Sequence, residues 1–284
     1  MAIFTNQAFL TYNNVTTSSN IATGELVEVL SATKTAVVGS YTSGDRVAYV
    51  ISILNTGGNA FGNLTVTDDL GGYTFGNGTL YPLSYVEDSV KYYVDGVLQA
   101  APTVTAGPPL TFTGINVPAG GNAIIVYEAL TNQFAPPVSG GNITNTVTVG
   151  GAGLITPVVA TETISASAEP ELAISKSITP GTVTENSRVT YTFVIQNYGN
   201  TEATATDNVV LRDSFDPILS DLAVVFNGEA WTEGTEYTYN EATGEFATAA
   251  GQITVPAATY AQDPATGVWT ATPGTVVLTV TGTI

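Results

Sequence analysis

The sequence predicts an all-β protein of two tandem β-sandwich domains preceded by a separate N-terminal strand pair. Three observations carry this. Apolar residues recur at every second position, turns rich in Gly, Pro, Asn and Thr cut the chain at short intervals, and one long segment occurs twice. The length of 284 residues suits about two domains. With 44% hydrophobic residues, each domain has enough material for a core. No segment combines helical periodicity with caps.

The elements follow in order. "FTNQAFLTYNN" (Phe4 to Asn14) and "IATGELVEV" (Ile21 to Val29) read as a strand pair. A strand carrying Lys34 opens the first core, and "RVAYVISIL" then sets Val47, Tyr49, Ile51 and Ile53 on one face. "LNTGGN", "LTVTDDL", "YYVDGV", "INVPA" and "AIIVYEALTN" complete that core. Next come "ITNTVTVGG" (Ile143 to Gly151) and "VVATETISA" (Val158 to Ala166), a second strand pair. The core then repeats: a strand with Lys176, "RVTYTFVIQ" with Val189, Tyr191, Phe193 and Ile195 on one face, "QNYGNT", "VVLRDSF", "VVFNGE", "ITVPA" and "TVVLTVTGTI". Asp-Gly in one copy and Asn-Gly in the other mark tight hairpin turns. The second copy has a longer stretch, Ala257 to Gly274, read as surface decoration. The expected units are residues 1–29, 30–166 and 167–284.

The two strand pairs align, with Phe4 on Ile143, Ile21 on Val158, Glu25 on Glu162 and Val27 on Ile164. The segment "ISKSITPGTVTENSRVTYTFVIQNYGNTEATATDNVVLRDSF" resembles the domain-of-unknown-function eleven repeat, an Ig-like module of bacterial surface proteins. The resemblance covers both cores and rests on the first-strand Lys, "TYTFVIQN" and a "TD"-like strand, which is "TDD" in the first copy and "RDS" in the second. It implies two Ig-like β-sandwiches, and it implies that a "TNTATV"-like strand and its partner close each module.

On that phase the N-terminal pair is a closing element with no module before it, and the second domain is a module with no closing element. A sandwich without its closing strands exposes apolar surface and bare edges, and an isolated hairpin is marginally stable. Strand donation resolves both: Phe4, Ala8, Leu10 and Tyr12, with Ile21, Val27 and Val29, are expected to fill the second domain of another copy. The expected partner is therefore the chain itself, in a head-to-tail homopolymer. Two other arrangements fit the same order of elements: the pair opens each module, or the N-terminus reaches its own second domain.

Composition narrows the alternatives. Acidic residues outnumber basic ones 24 to 6, a net charge of −18 that repels nucleic acid. Cysteine and histidine are absent, which removes disulfides, thiolate metal sites and imidazole-based catalysis. An enzyme is not expected, nor is a cofactor or metal; no calcium-loop pattern surrounds Asp68 and Asp69. No apolar run reaches the roughly 20 residues of a membrane-spanning helix. "MAIFTNQAFL" lacks the basic region of a signal peptide, so the expected extracellular location, on a bacterial cell or spore surface, implies either a leader already removed or release by lysis.

Lys34 and Lys176 hold the same repeat position, each on an apolar strand face, and Asp68 and Asp213 are likewise in phase with apolar neighbours. A buried charge is costly unless paired, so Lys34–Asp68 and Lys176–Asp213 interactions are expected, with Glu162 and Glu25 nearby. Two forms are open: an ion pair at the sandwich rim, or a Lys–Asp isopeptide bond assisted by the Glu, which needs all three groups in one dry pocket. Trp231, Trp269, Tyr92 and Tyr93 raise a rival function, an adhesive module that stacks sugars on an aromatic platform, against the ordinary role of such residues in packing.

Overall fold

A computed structural model describes residues 2–284. Among them there is no α-helix; the single helical element is a 3-10 turn at Ala205–Asp207. The remainder is strand and turn, in two sandwiches preceded by a hairpin, so the predicted fold class holds.

In the first domain one sheet runs in the order Val97–Leu98, Lys91–Val94, Asn122–Thr131, Arg46–Asn55 and Leu30–Ala36. The facing sheet runs Thr103–Thr105, Leu110–Val117, Phe61–Asp68, Asn142–Gly150, Val158–Ala166 and Ser40–Tyr41. Alternate residues of both sheets meet in one core: Val47, Tyr49, Ile51 and Ile53 from one side, Leu64, Val66, Phe112 and Val147 from the other. Tyr49 and Tyr127 stack within it, ring centroids 5.5 Å apart.

The second domain repeats the five strands just given, in the order Glu229–Trp231, Ser220–Phe226, Gly274–Thr283, Arg188–Asn197 and Leu172–Thr179. It has no separate counterpart of Leu83–Tyr85, which pairs beside Asn122–Thr131 as a sixth strand in the first domain. Its facing sheet has only three strands, in the order Tyr237–Asn240, Glu245–Thr248 and Arg212–Ser214. Both "DG" and "NG" turns are present, with Asp95, Gly96, Asn227 and Gly228 all in the left-handed region that a two-residue hairpin loop requires.

The repeat needs one correction. Tyr127 pairs with Tyr49, and Val280 pairs with Tyr191, so Val280 rather than Thr279 is the counterpart of Tyr127. Burial agrees, since Ala123, Ile125 and Tyr127 are buried and so are Val276, Leu278 and Val280. A slip of one residue in a β-branched run exchanges the two faces, and nothing in such a run marks the register.

The repeated "LNTGGN" and "QNYGNT" have a structural role. Fully buried Asn55 donates to the carbonyls of Asn59 (2.9 Å) and Pro118 (2.8 Å) and accepts from Gly57 N–H (2.9 Å). Asn197 does the same with Thr201, Val255 and Gly199. Each Asn satisfies backbone groups where a strand leaves its sheet. Asn55→Ala is expected to lower the stability of the first domain by about 1–3 kcal/mol, measured as a shift of its urea midpoint.

Ala257 to Gly274 is more than decoration. It forms a hairpin, Thr259–Gln262 with Trp269–Thr272, that reaches the first domain. Trp269 N–H donates to Gln133 O (3.1 Å), and Gln262 Nε2 donates to Tyr73 OH (3.0 Å). Asn200 Nδ2 adds a bond to Pro137 O (3.0 Å).

Candidate strand-accepting site

The site is clearest in the first domain, where it is filled. Strands Asn142–Gly150 and Val158–Ala166 extend the second sheet from the edge of Phe61–Asp68, Val147 lying opposite Asp68. Val158–Ala166 then packs over the Lys34 strand of the other sheet. Beneath this cover, Leu30 and Lys34 are buried.

Lys34 and Asp68 side chains are both 0% exposed, with Nζ to Oδ2 at 2.5 Å. Asp68 Oδ2 also accepts from Tyr127 OH (2.5 Å), and its Oδ1 accepts from Leu70 N–H (2.9 Å). Asn145 Nδ2 donates to the same tyrosine oxygen (3.2 Å), so one hydroxyl links the carboxylate to a carboxamide. Asn145 is fully buried, and its Oδ1 has no hydrogen-bond partner among the described residues. Burial pushes the Lys34 ammonium below its ordinary range, opposed chiefly by Asp68 and also by Asp69 and Glu162. Burial also raises the Tyr127 hydroxyl well above its usual value, with the Asp68 charge adding to the effect. The pair thus lies in the core, not at the rim, and Glu162 is only half-buried beside it.

In the second domain the same strand is bare. All residues of Leu172–Thr179 are exposed, including Leu172, Ile174 and Ile178, which share the face of Lys176. Arg212–Ser214 has one partner, Glu245–Thr248; its counterpart in the first domain has two. Lys176 still meets Asp213, but the side chains are 40% and 17% exposed rather than buried. The Lys176 ammonium lies over the rings of Tyr191 (4.6 Å), Phe215 (5.4 Å) and Phe193 (5.5 Å). The expected buried pair is open here because no strand pair covers it.

The N-terminal segment is a hairpin standing clear of both cores. Ala2–Asn6 pairs with Ala22–Leu26, and Phe9–Tyr12 pairs with Val15–Ser18 around Asn13-Asn14, both of positive φ. Its apolar side chains face solvent: Phe4 is 60% and Phe9 69% exposed, and Ile3, Leu10, Tyr12, Ile21 and Val27 are also exposed. Two of the expected placements change. Val29 is half-buried against its own first domain, its carbonyl bound by Thr56 N–H (2.8 Å) and its methyl group lying where a side chain on Gly57 would be. It is the stem of the hairpin.

The second change concerns register. In the filled site Asn145 lies opposite Glu162, which through the repeat sets Asn6 opposite Glu25. In the free hairpin Ile3 is opposite Glu25, three residues away, and Phe4 is opposite Gly24. An odd offset places Phe4 and Glu25 on opposite faces, so the expected donor residues do not form one apolar face in the free hairpin. The two-residue Asn-Asn turn sets the register of Phe9–Tyr12 with Val15–Ser18, and a one-residue shift between Asn6 and Phe9 then sets that of Ala2–Asn6 with Ala22–Leu26. The longer connection after Gly150 leaves its register to packing.

The aromatic platform is not assembled. Tyr92 is buried, and its hydroxyl bonds Asn116 N (2.8 Å) and O (2.9 Å). Trp231 packs on Phe226 at 4.9 Å between centroids, and Trp269 lies in the hairpin that reaches the first domain. Among the described residues no cluster of three or more metal-ligating side chains occurs, and no helix is long and apolar enough to cross a membrane.

No family model matches the chain, and no curated protein does. Solved structures similar in fold include the major pilin subunit of Bacillus cereus, at 9% identity and TM-score 0.37 over 96% of this chain and 73% of that one. The pilus backbone of Streptococcus pneumoniae matches at 13% identity and TM-score 0.35, over 86% of this chain and 55% of that one. A collagen-binding domain from a Staphylococcus aureus adhesin matches at 12% identity and TM-score 0.31, over 49% of this chain and 99% of that one.

Proposed function

We propose that the protein is a structural subunit of a bacterial extracellular filament, on a cell or spore surface, and that it polymerises head to tail. The hairpin of one copy enters the second domain of the next, adding two strands beyond Arg212–Ser214 and covering Leu172–Thr179. One observation carries this reading: the hairpin whose sequence aligns with Ile143–Ala166 stands free with its apolar residues in solvent, while Leu172–Thr179, the counterpart of the covered Lys34 strand, is exposed. The contact joins two different surfaces and so propagates. Each large side chain buried adds about 1.5–3 kcal/mol, giving a gross gain above ~10 kcal/mol before ordering costs.

Negative-stain microscopy of the full chain beside residues 30–284 tests it. Filaments are expected from the full chain alone, and a peptide of residues 2–29 is expected to bind the shortened form. Monomers from both, with no peptide binding, would sink the proposal.

A further inference from the structure

The first domain contains an arrangement that ion pairing does not explain. Asn145 is fully buried, with its carboxamide nitrogen bonded to Tyr127 OH; its carbonyl oxygen and the Tyr49 hydroxyl beside it both lack a hydrogen-bond partner among the described residues. A buried acceptor left unmade is costly, and few are found in native structures. The same hydroxyl bonds Asp68, which holds Lys34. A primary amine, a carboxylate and a carboxamide are therefore joined through the Tyr127 hydroxyl in one buried network, and these are the three groups an amide-forming condensation uses. In such a condensation Asp68 would take a proton from the Lys34 ammonium, and the neutral amine would attack Cγ of Asn145. Asp68 would return that proton to the departing nitrogen, which leaves as ammonia, and would then take the second proton from the new C–N nitrogen, leaving a neutral secondary amide and a protonated carboxyl. The carboxamide is the better acyl partner than Asp68 itself, because Asp68 already holds the Leu70 N–H and the Tyr127 hydroxyl and is placed to relay the proton.

The second domain has the amine and the carboxylate, Lys176 and Asp213, in contact on an aromatic floor. Among the described residues no carboxamide is bonded to this pair. The sequence repeat offers one: Asn145 stands two residues after Ile143, and Asn6 stands two residues after Phe4 in "FTNQAFL". We infer that Asn6 of a second copy enters this site and forms an amide bond with Lys176, joining successive subunits covalently. This rests on the strand-donation reading. Donation in the register of the first domain puts Asn6 opposite Glu25, as Asn145 is opposite Glu162. It also excludes water from Lys176, which the free subunit leaves 40% exposed, so the bond forms on assembly and not before. Val280 stands where the first domain has Tyr127, so Asp213 relays the proton without a tyrosine.

The test is to boil assembled protein in detergent and run a denaturing gel, with microscopy of the same sample before boiling. Wild type is expected to give filaments and a ladder of boiling-resistant oligomers. Disulfides cannot produce that ladder, since the chain has no cysteine. Peptide mass spectrometry is expected to find a branched peptide joining Lys176 to residue 6, lighter by one ammonia. Asn6→Ala and Lys176→Arg are each expected to lose the ladder; Lys176→Arg keeps the cation but not the nucleophile. Filaments that boil entirely to monomers, or a ladder without that branched peptide, would overturn the bond and leave strand donation standing. Absence of filaments from wild type would overturn both.

Discussion

Lys34→Met is expected to destabilise the first domain by about 3–5 kcal/mol, the usual cost of leaving one member of a buried ion pair alone. Asp68 would keep its bonds to Tyr127 OH and Leu70 N–H but would hold an uncompensated charge in a fully buried site. Trp231 packs on Phe226 inside the second domain, whereas Trp269 sits on Gln133 of the first. In a Trp269→Phe background, urea unfolding followed by circular dichroism should therefore separate from the Trp231 fluorescence transition as the first domain melts early. The double variant Lys34→Met/Asp68→Asn is expected to recover part of the loss. Asparagine is neutral and still offers a carbonyl oxygen to Leu70 N–H. Lys176→Met should cost the free subunit far less, because that pair is already partly solvated. Equal losses at the two lysines would show that burial by the closing strands is not what distinguishes the sites.

The same two lysines mark how far alternation along a strand can be read. It places Val47, Tyr49, Ile51 and Ile53 inside, and all four are fully buried. Equal arithmetic places Lys34 and Asp68 on inward faces, so their meeting is legible in the sequence. Asn145 is not legible: in a Thr-rich strand an inward Asn looks like any other polar residue, and its role depends on Tyr127 from a distant strand. Adjacent Tyr92 and Tyr93 must point to opposite faces of one strand, so the sequence itself argues against a flat platform that uses both. The contact of the Thr259–Thr272 hairpin with the first domain leaves no periodic trace. The slip between Tyr127 and Val280 has a similar cause, because Val and Ile runs look alike in either register.

The free hairpin register leads to an all-or-none expectation. Thr5 lies opposite Thr23 in the hairpin, whereas the register of the filled site would bring Thr5 opposite Leu26. Replacing Thr5 and Thr23 by cysteine in a chain that has none allows one disulfide to pin the free register. A three-residue slide displaces the strands by about 10 Å, and a disulfide tolerates a Cα separation of about 7 Å at most. The oxidised double variant is therefore expected to stay monomeric in light scattering and microscopy, and the reduced form to assemble like wild type. If the oxidised protein assembles equally well, the hairpin docks in the register it already has. Asn6 would then not occupy the place of Asn145, and Lys176 would have no carboxamide to attack. If it stays monomeric, the free hairpin holds the donor strands in a register that must be undone at docking. Assembly would then begin slowly on a free subunit and proceed where an acceptor strand replaces the lost pairing, which ties the onset of polymerisation to the register of Ala2–Asn6 with Ala22–Leu26.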